Sequence, residues 1–169
     1  DFGSGFFNPK SLIAVRLFPP IVITLPLFPT ADYLGLSDTH LLLVLLYATF
    51  FVSLNTVIMK TFIDGLSTEL DDAARVDGAT EWQTLWRVIL PLTAQGMVAA
   101  AVFVFVFSWN EFLFAFIFTT SNAKTTPLVL SEIMDSVTGT NYGVLFSAAT
   151  VQLVPVVIVV IVLQRFLIA

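Results

Sequence analysis

The residues of this chain that could do chemistry sit in two places. Five ionisable side chains (Glu69, Asp71, Asp72, Arg75 and Asp77) crowd the start of "ELDDAARVDGATEWQTLWRVILPL", Glu69 to Leu92. One more carboxylate, Glu111, follows Trp109 and Asn110 inside an otherwise apolar run. A short acidic run suits charge-assisted contact with a partner, whereas a carboxylate in hydrocarbon is costly unless it meets water or a bonding group. Neither place makes an enzyme. His40 is the only histidine and is remote from every plausible nucleophile, so no serine, histidine and acid set assembles. It also lacks companions at metal-ligand spacing, which leaves it a helix-end or interfacial histidine. The chain has no cysteine, so thiol nucleophiles, disulfides and thiolate metal sites are excluded. No GxxxxGK[ST] loop occurs, and the usual phosphate cradle for ATP is therefore absent.

The elements that must position these residues are apolar. Hydrophobic residues make up 57% of the chain and charged residues 11%, and the mean hydropathy is +0.95. Together these predict an all-α polytopic transmembrane bundle. With a net charge of −5 and no cluster of Lys and Arg, the chain has no nucleic-acid footprint. Four spans are predicted: Leu12 to Phe28, carrying Arg16 and Pro19, Pro20 and Pro26; Leu41 to Met59, with Asn55; Val88 to Phe118, interrupted by "SWNE" at Ser108 to Glu111; and Val144 to Leu163, with Gln152 and Pro155. Polar connectors fill Pro29 to His40 and Lys60 to Arg87, and a third, "TTSNAKTTPLVLSEIMDSVTGTNYG", has room for a short helix. Lys10, Arg16, Lys60, Arg75, Arg87 and Arg165 fall on one side of these spans and only Lys124 on the other. The excess of basic residues puts the segment from Lys60 to Arg87 in the cytoplasm.

That segment carries two helix signals in series. Ser67 or Thr68 can cap a helix through "ELDDAARVD", with Glu69, Asp71 and Asp72 in its first turn and Gly78 as a left-handed stop. Thr80 and Gln83 make a capping box, and Trp82, Leu85, Trp86 and Ile89 recur at helical spacing until Pro91 ends the pattern. Periodicity alone leaves two readings open. The unit could fill a groove in another protein, or it could be an interfacial loop helix packed under its own bundle.

The same residues resemble the cytoplasmic signature of ABC importer permeases: an E-A-A element matched by Asp72, Ala73 and Ala74, a D-G-A element matched by Asp77, Gly78 and Ala79, and a Leu-Pro element in Ile89, Leu90 and Pro91. Asp72 stands where Glu is usual, and Gln95 where many relatives have proline. The resemblance implies that the first helix is a coupling helix seated in a cleft on a separate ATPase. Glu69, Asp72, Ala73, Ala74, Asp77, Gly78 and Ala79 would form its docking core, and Trp82, Leu85, Trp86, Ile89, Leu90 and Pro91 would pack the segment. Residues 66–92 are then a coupling segment within one permease domain covering residues 1–169.

Further stretches, "PPIVITLPLF", "LGLSDTH", "FSWNEFLFAFIFT" and "LVPVVIVVIVLQRFLIA", are similar to the carbohydrate-uptake class, specifically its second, maltose-permease-like membrane subunit. The resemblance implies sugar or oligosaccharide import across a bacterial or archaeal cytoplasmic membrane. It also implies an ATPase dimer that binds ATP-Mg, a second unlike permease, an extracytoplasmic solute-binding protein, and no cofactor on this chain. It further implies two preceding spans and a short C-terminal tail, without which residues 1–169 alone would be poorly stable. Trp109, Asn110 and Glu111 are candidates for the translocation path, with Trp109 able to stack on a sugar, or else they mark a bend that closes the gate without touching substrate. Asn55, Gln152 and Pro155 are explained by interhelical hydrogen bonds and a kink. An importer for amino acids, phosphate or metal chelates would share the coupling signature, and a membrane scaffold with a docking loop is a third class.

Overall fold

The computed structural model describes residues 19–67, 69–135, 139 and 141–168; the side chains of residue 71 and of residues 165–168 fall outside that description. Lys10, Arg16, Thr68 and the first part of the predicted span Leu12 to Phe28 also lie outside the described residues.

Helix α1, Pro20–Tyr33, begins with Pro20 where a missing N–H costs no helix bond. It continues through Pro26 and Pro29, so the connector expected from Pro29 is helical up to Tyr33. The stop is Gly35 at φ 67. Its N–H donates to the Asp32 carbonyl (2.9 Å) and the Leu36 N–H to that of Ala31 (3.0 Å), a left-handed close that glycine allows without Cβ strain. Helix α2, His40–Asp64, is capped by Thr39, whose hydroxyl accepts the Leu42 N–H. At about 1.5 Å per residue its 25 residues cross a hydrocarbon layer with turns to spare. It runs on past Met59, and Lys60 and Asp64 pair at helical spacing in its last turn, 2.8 Å apart.

Helix α3, Glu69–Val76, and helix α4, Glu81–Thr84, form the polar segment. From α4 the chain runs without a break through a π turn, Leu85–Ile89, into helix α5, Leu90–Leu92. Pro91 therefore does not end this helix. The widened turn, closed by the Leu90 N–H on the Leu85 carbonyl, relieves the clash a proline ring makes with the preceding turn. The break comes at Thr93, where the axis bends by 69° into helix α6, Ala94–Trp109. Gln95 is thus inside the first turn of α6. Helix α7, Leu113–Phe118, helix α8, Thr126–Met134, and helix α9, Tyr142–Ile168, complete the described chain.

The expected third span, Val88 to Phe118, is in fact the end of one helix, a bend, α6, a break at residues 110–112 and the short α7. The reason is local: Thr93 leaves helical geometry at φ −91, ψ 10, and Asn110 does so at φ −97, ψ 5. Among the described residues two helices, α2 and α9, are long and apolar enough to cross a membrane alone, and a third crossing results if the bent pair Glu81–Leu92 and Ala94–Trp109 is counted as one.

A buried apolar cluster lies at one end of the bundle, where the close of α1, the start of α2 and α7 meet around Ala31, Leu42, Leu43, Phe114, Phe118 and Ala123. Phe50 and Phe114 meet edge to face, ring centres 5.5 Å apart. Helix α6 bridges α2 and α9. It approaches α2 so closely at Gly96 that any Cβ there would collide with Phe62. Helix α9 rests on α6 and α8 and turns Phe146, Leu153, Ile158 and Ile161 outward, as a helix facing lipid or another apolar subunit does.

Candidate functional site

The helix pair from Ser67 to Leu92 is ordered by its own sequence. The Ser67 hydroxyl accepts the Glu69 N–H at 3.3 Å, so Ser67 supplies the start of α3. At its end Gly78 has φ 75; the Gly78 N–H donates to the Arg75 carbonyl (3.0 Å) and the Ala79 N–H to that of Ala74 (2.9 Å). These are the two bonds of a Schellman close, and they fix the angle between α3 and α4. Thr80 and Gln83 complete the expected capping box: the Thr80 hydroxyl accepts the Gln83 N–H and the Gln83 side chain accepts the Thr80 N–H.

What this rigid pair presents follows from helical spacing. With 100° per residue, Glu69, Asp72, Ala73 and Val76 share one face of α3, and Leu70 and Ala74 the other. Ala74 is 7% exposed, while Val76 is 87% exposed. Leu70 lines a small cleft with Ile63, Leu66, Val88 and Ile89, which seats α3 on its own chain. The two alanines thus face opposite ways: Ala74 packs inward and Ala73 points out. Asp77 and Gly78 are exposed and Ala79 is half-buried. On the second helix Leu85, Ile89 and Leu90 are half-buried and Pro91 is exposed. Trp82 and Trp86 are 70% and 63% exposed. Large amphipathic rings are thus left outside four residues apart.

At the other end of α2 several polar side chains bond within the chain. Glu111 sits in the break after α6 and accepts the N–H groups of Phe114 (2.9 Å to Oε1) and Ala115 (3.4 Å to Oε2), which caps α7. The Tyr47 hydroxyl donates to its Oε2 at 3.0 Å. The Trp109 Nε1–H donates to the Gln152 carbonyl at 3.0 Å, tying α6 to α9, which carries Pro155 three residues on. The Gln152 amide reaches Asn110 at 3.4 Å, and Asn110 also donates to the Val106 carbonyl. Gln152 therefore makes interhelical contacts through its backbone carbonyl and its amide N–H, while its Oε1 is buried without a partner among the described residues. Asn55 makes none: its Oδ1 is buried without a hydrogen-bond partner among the described residues.

Asp38 is the tie that sequence reading missed. It adopts φ 57, a left-handed conformation that Asp tolerates. Its carboxylate accepts the backbone N–H groups of Thr120, Ser121, Asn122 and Ala123 and the Asn122 side-chain amide, all between 2.9 and 3.2 Å. These donors, those of Asn122 and Thr120 foremost, hold its carboxyl well below the usual carboxylate range. The only signal in sequence was an Asp beside turn formers; its partners lie more than eighty residues on. Lys124 follows that loop and pairs with Glu132 at 2.6 Å, so it stands at the opposite end of α2 from Lys60. His40 simply opens α2. No group of three His, Asp or Glu side chains able to hold a metal occurs among the described residues.

An all-helical bundle with long apolar helices and an ordered polar helix pair between two of them defines a polytopic membrane protein. Residues 11–169 match the family described as "Binding-protein-dependent transport system inner membrane component", and the chain belongs to that family. It is similar to the probable ABC transporter permease protein YurM of Bacillus subtilis (30% identical over 165 residues, 97% of this chain and 54% of the relative). It is similar also to the trehalose transport system permease protein SugB of Mycobacterium tuberculosis (34% over 163 residues, 93% and 58%). A third relative is the trehalose/maltose transport system permease protein MalG of Thermococcus litoralis (29% over 170 residues, 100% and 61%). The chain spans between 54% and 61% of the length of these three relatives.

Proposed function

We propose that this chain is the permease subunit of an ATP-driven importer for sugars or oligosaccharides, and that α3 is the helix through which a separate ATPase drives it. The observation that carries the reading is the geometry of the helix pair. A Schellman close at Gly78 and a capping box at Thr80 hold α3 and α4 in one arrangement, yet the face bearing Glu69, Asp72, Ala73 and Val76 is left outward. A rigid unit with a free amphipathic face transmits force; a solvated loop does not. Family membership and the transport names of the relatives support the same reading.

In this proposal residues 1–169 form one permease domain that crosses the cytoplasmic membrane four times, with residues 66–92 as its cytoplasmic coupling segment. Glu69, Asp72 and Asp77 meet basic groups on the ATPase, and Ala73 lets α3 approach closely. Ala74, Gly78 and Ala79 hold the angle, and Trp82, Leu85, Trp86, Ile89, Leu90 and Pro91 carry the movement toward α6. The partners are an ATPase dimer binding ATP-Mg, a second unlike permease and an extracytoplasmic solute-binding protein. Trp109, Asn110 and Glu111 act in this scheme as ties that set the outer gate, which their bonds within the chain support.

The test is Gly78→Pro in the full-length protein within its native membrane. Proline fixes φ near −65°, which is incompatible with a φ of 75. ATP-linked sugar uptake should fall by more than about tenfold, and the ATPase should no longer co-purify, while the chain still inserts, because the apolar helices are untouched. Uptake and co-purification at wild-type levels would sink the coupling role. Competition of that uptake by amino acids or phosphate, and not by sugars, would move the solute class.

A further inference from the structure

Between α2, the end of α6 and the start of α8 lies a cavity of about 350 Å³ that none of the contacts above fills. Phe105 and Trp109 line it, their rings stacked at 5.7 Å and 18° apart in plane. Tyr47, Ser108, Lys124, Thr125 and Thr126 are the polar residues of its lining. Its volume is at the lower end of those that hold small organic ligands.

Three features narrow what it would take. Charge is balanced: Lys124 is paired with Glu132 at 2.6 Å, and the Tyr47 hydroxyl is bonded to Glu111. An anion would find no free cation in the lining, and a cation would meet the Lys124 ammonium. Next, hydroxyls are left over. Ser108 lines the cavity, and its hydroxyl has no hydrogen bond among the described residues, although serines in helices commonly bond the carbonyl four residues back. The Thr125 Oγ1 is buried at the cavity wall with no partner, and Thr125 precedes α8 without capping it. A turn of its χ1 rotor would bring that hydroxyl to the cavity. Finally, an aromatic wall faces these polar groups, the combination that receives a ring with apolar C–H faces and a hydroxylated edge.

We infer that this cavity is a binding subsite for one neutral, polyhydroxylated ring of sugar size, on this subunit itself. The inference rests on the sugar-import reading and adds to it a site of contact. Trp109 keeps its Nε1–H on the Gln152 carbonyl while its ring forms the wall, so occupancy of the cavity bears directly on the tie between α6 and α9.

The experiment uses the full-length transporter with its partners in lipid nanodiscs, because glucoside and maltoside detergents would themselves compete. Maltose and methyl α-glucoside are the probes, read by saturation-transfer NMR and by uptake kinetics. Ser108→Ala and Thr125→Val each remove one hydroxyl with little change of shape. Each should raise the apparent KM for maltose about 3- to 10-fold and leave the maximal rate largely intact, the loss expected for one neutral hydrogen bond. Thr125→Val should at the same time keep or raise Tm, since it removes a buried hydroxyl that lacks a partner. Unchanged KM and unchanged saturation transfer in both variants, with maltose uptake intact, would overturn the subsite while leaving the importer reading standing. A wild-type transporter that imports glutamate or phosphate and no sugar would overturn the importer reading, and with it the sugar assignment of the cavity. Enhanced transfer from nanodisc glycolipid headgroups alone, with no signal from maltose, would reassign the cavity to lipid and also overturn it.

Discussion

The two ends of α2 treat polar side chains in opposite ways. At the His40 end, Asp38, Tyr47, Trp109 and Glu111 turn their polar atoms into the chain and bond across long sequence separations. At the Asp64 end, Glu69, Asp72, Trp82 and Trp86 are held on a rigid frame and left outside. An inward polar group fixes the shape of its own subunit, since a buried group without a partner costs about 1–3 kcal/mol. An outward one on an ordered frame has no such duty and is free to serve a partner. A single kind of residue, the carboxylate, therefore stands in two settings in one molecule. Glu111 holds the start of a helix in place, and Glu69 is left exposed on an ordered frame.

The comparison breaks most readily at Glu111. In Glu111→Ala the N–H groups of Phe114 and Ala115 and the hydroxyl of Tyr47 all lose their acceptor. The expected loss is about 2 kcal/mol, read as a fall in thermal stability of the full-length protein. Tyr47→Phe should cost less, and the two changes together less than their sum, because they share one bond. A Glu111→Ala protein as stable as wild type, with a large defect in sugar uptake, would make Glu111 a pathway residue and erase the distinction between the ends.

A smaller effect is expected from Asp38, which is partly open to solvent. Its carboxyl is held well below the usual range by the amides of the loop from Thr120 to Ala123. A depressed folded pKa contributes stability that is present above the unfolded value, about 4, and is lost as pH falls through the folded one. The tie should thus be constant across neutral pH and weaken only in strong acid. Asp38→Asn, which cannot accept on both sides, should raise hydrogen exchange at Thr120 to Ala123 at pH 7 and leave α3 unchanged. Equal exchange in variant and wild type would show that the bonds contribute nothing to the order of the loop.

How much of this was legible in the sequence depends on the range of the bond. The capping box at Thr80, the start at Ser67 and the left-handed residue at Gly78 are closed by partners within five positions. Their residue types announce them. The π turn at Leu85–Ile89 was not legible, because Pro91 reads as a helix stop unless the preceding turn widens. Nor was the helical stretch through Pro29, whose stop is Gly35, six residues beyond. Trp109, Asn110 and Glu111 could be singled out as costly groups in an apolar run, but their partners at Gln152 and Tyr47 lie 43 and 64 residues away. Asp38 carried almost no signal, because nothing local marks an acceptor for a loop that distant.

The smallest effect on stability, and the sharpest on the comparison, belongs to Trp82→Ala and Trp86→Ala. Both rings are mostly exposed, so each change should alter thermal stability by less than about 0.5 kcal/mol. If the outward surface of the helix pair is where an ATPase subunit docks, the same changes should weaken co-purification of that subunit and lower coupled uptake several-fold. Stability and coupling then separate cleanly at this end of the molecule, where at the Glu111 end the expected loss is one of stability. A loss of stability as large as that of Glu111→Ala would mean that the indole rings are part of the subunit's own packing. The outward face would then reduce to that of α3 alone, with Glu69, Asp72, Ala73 and Val76.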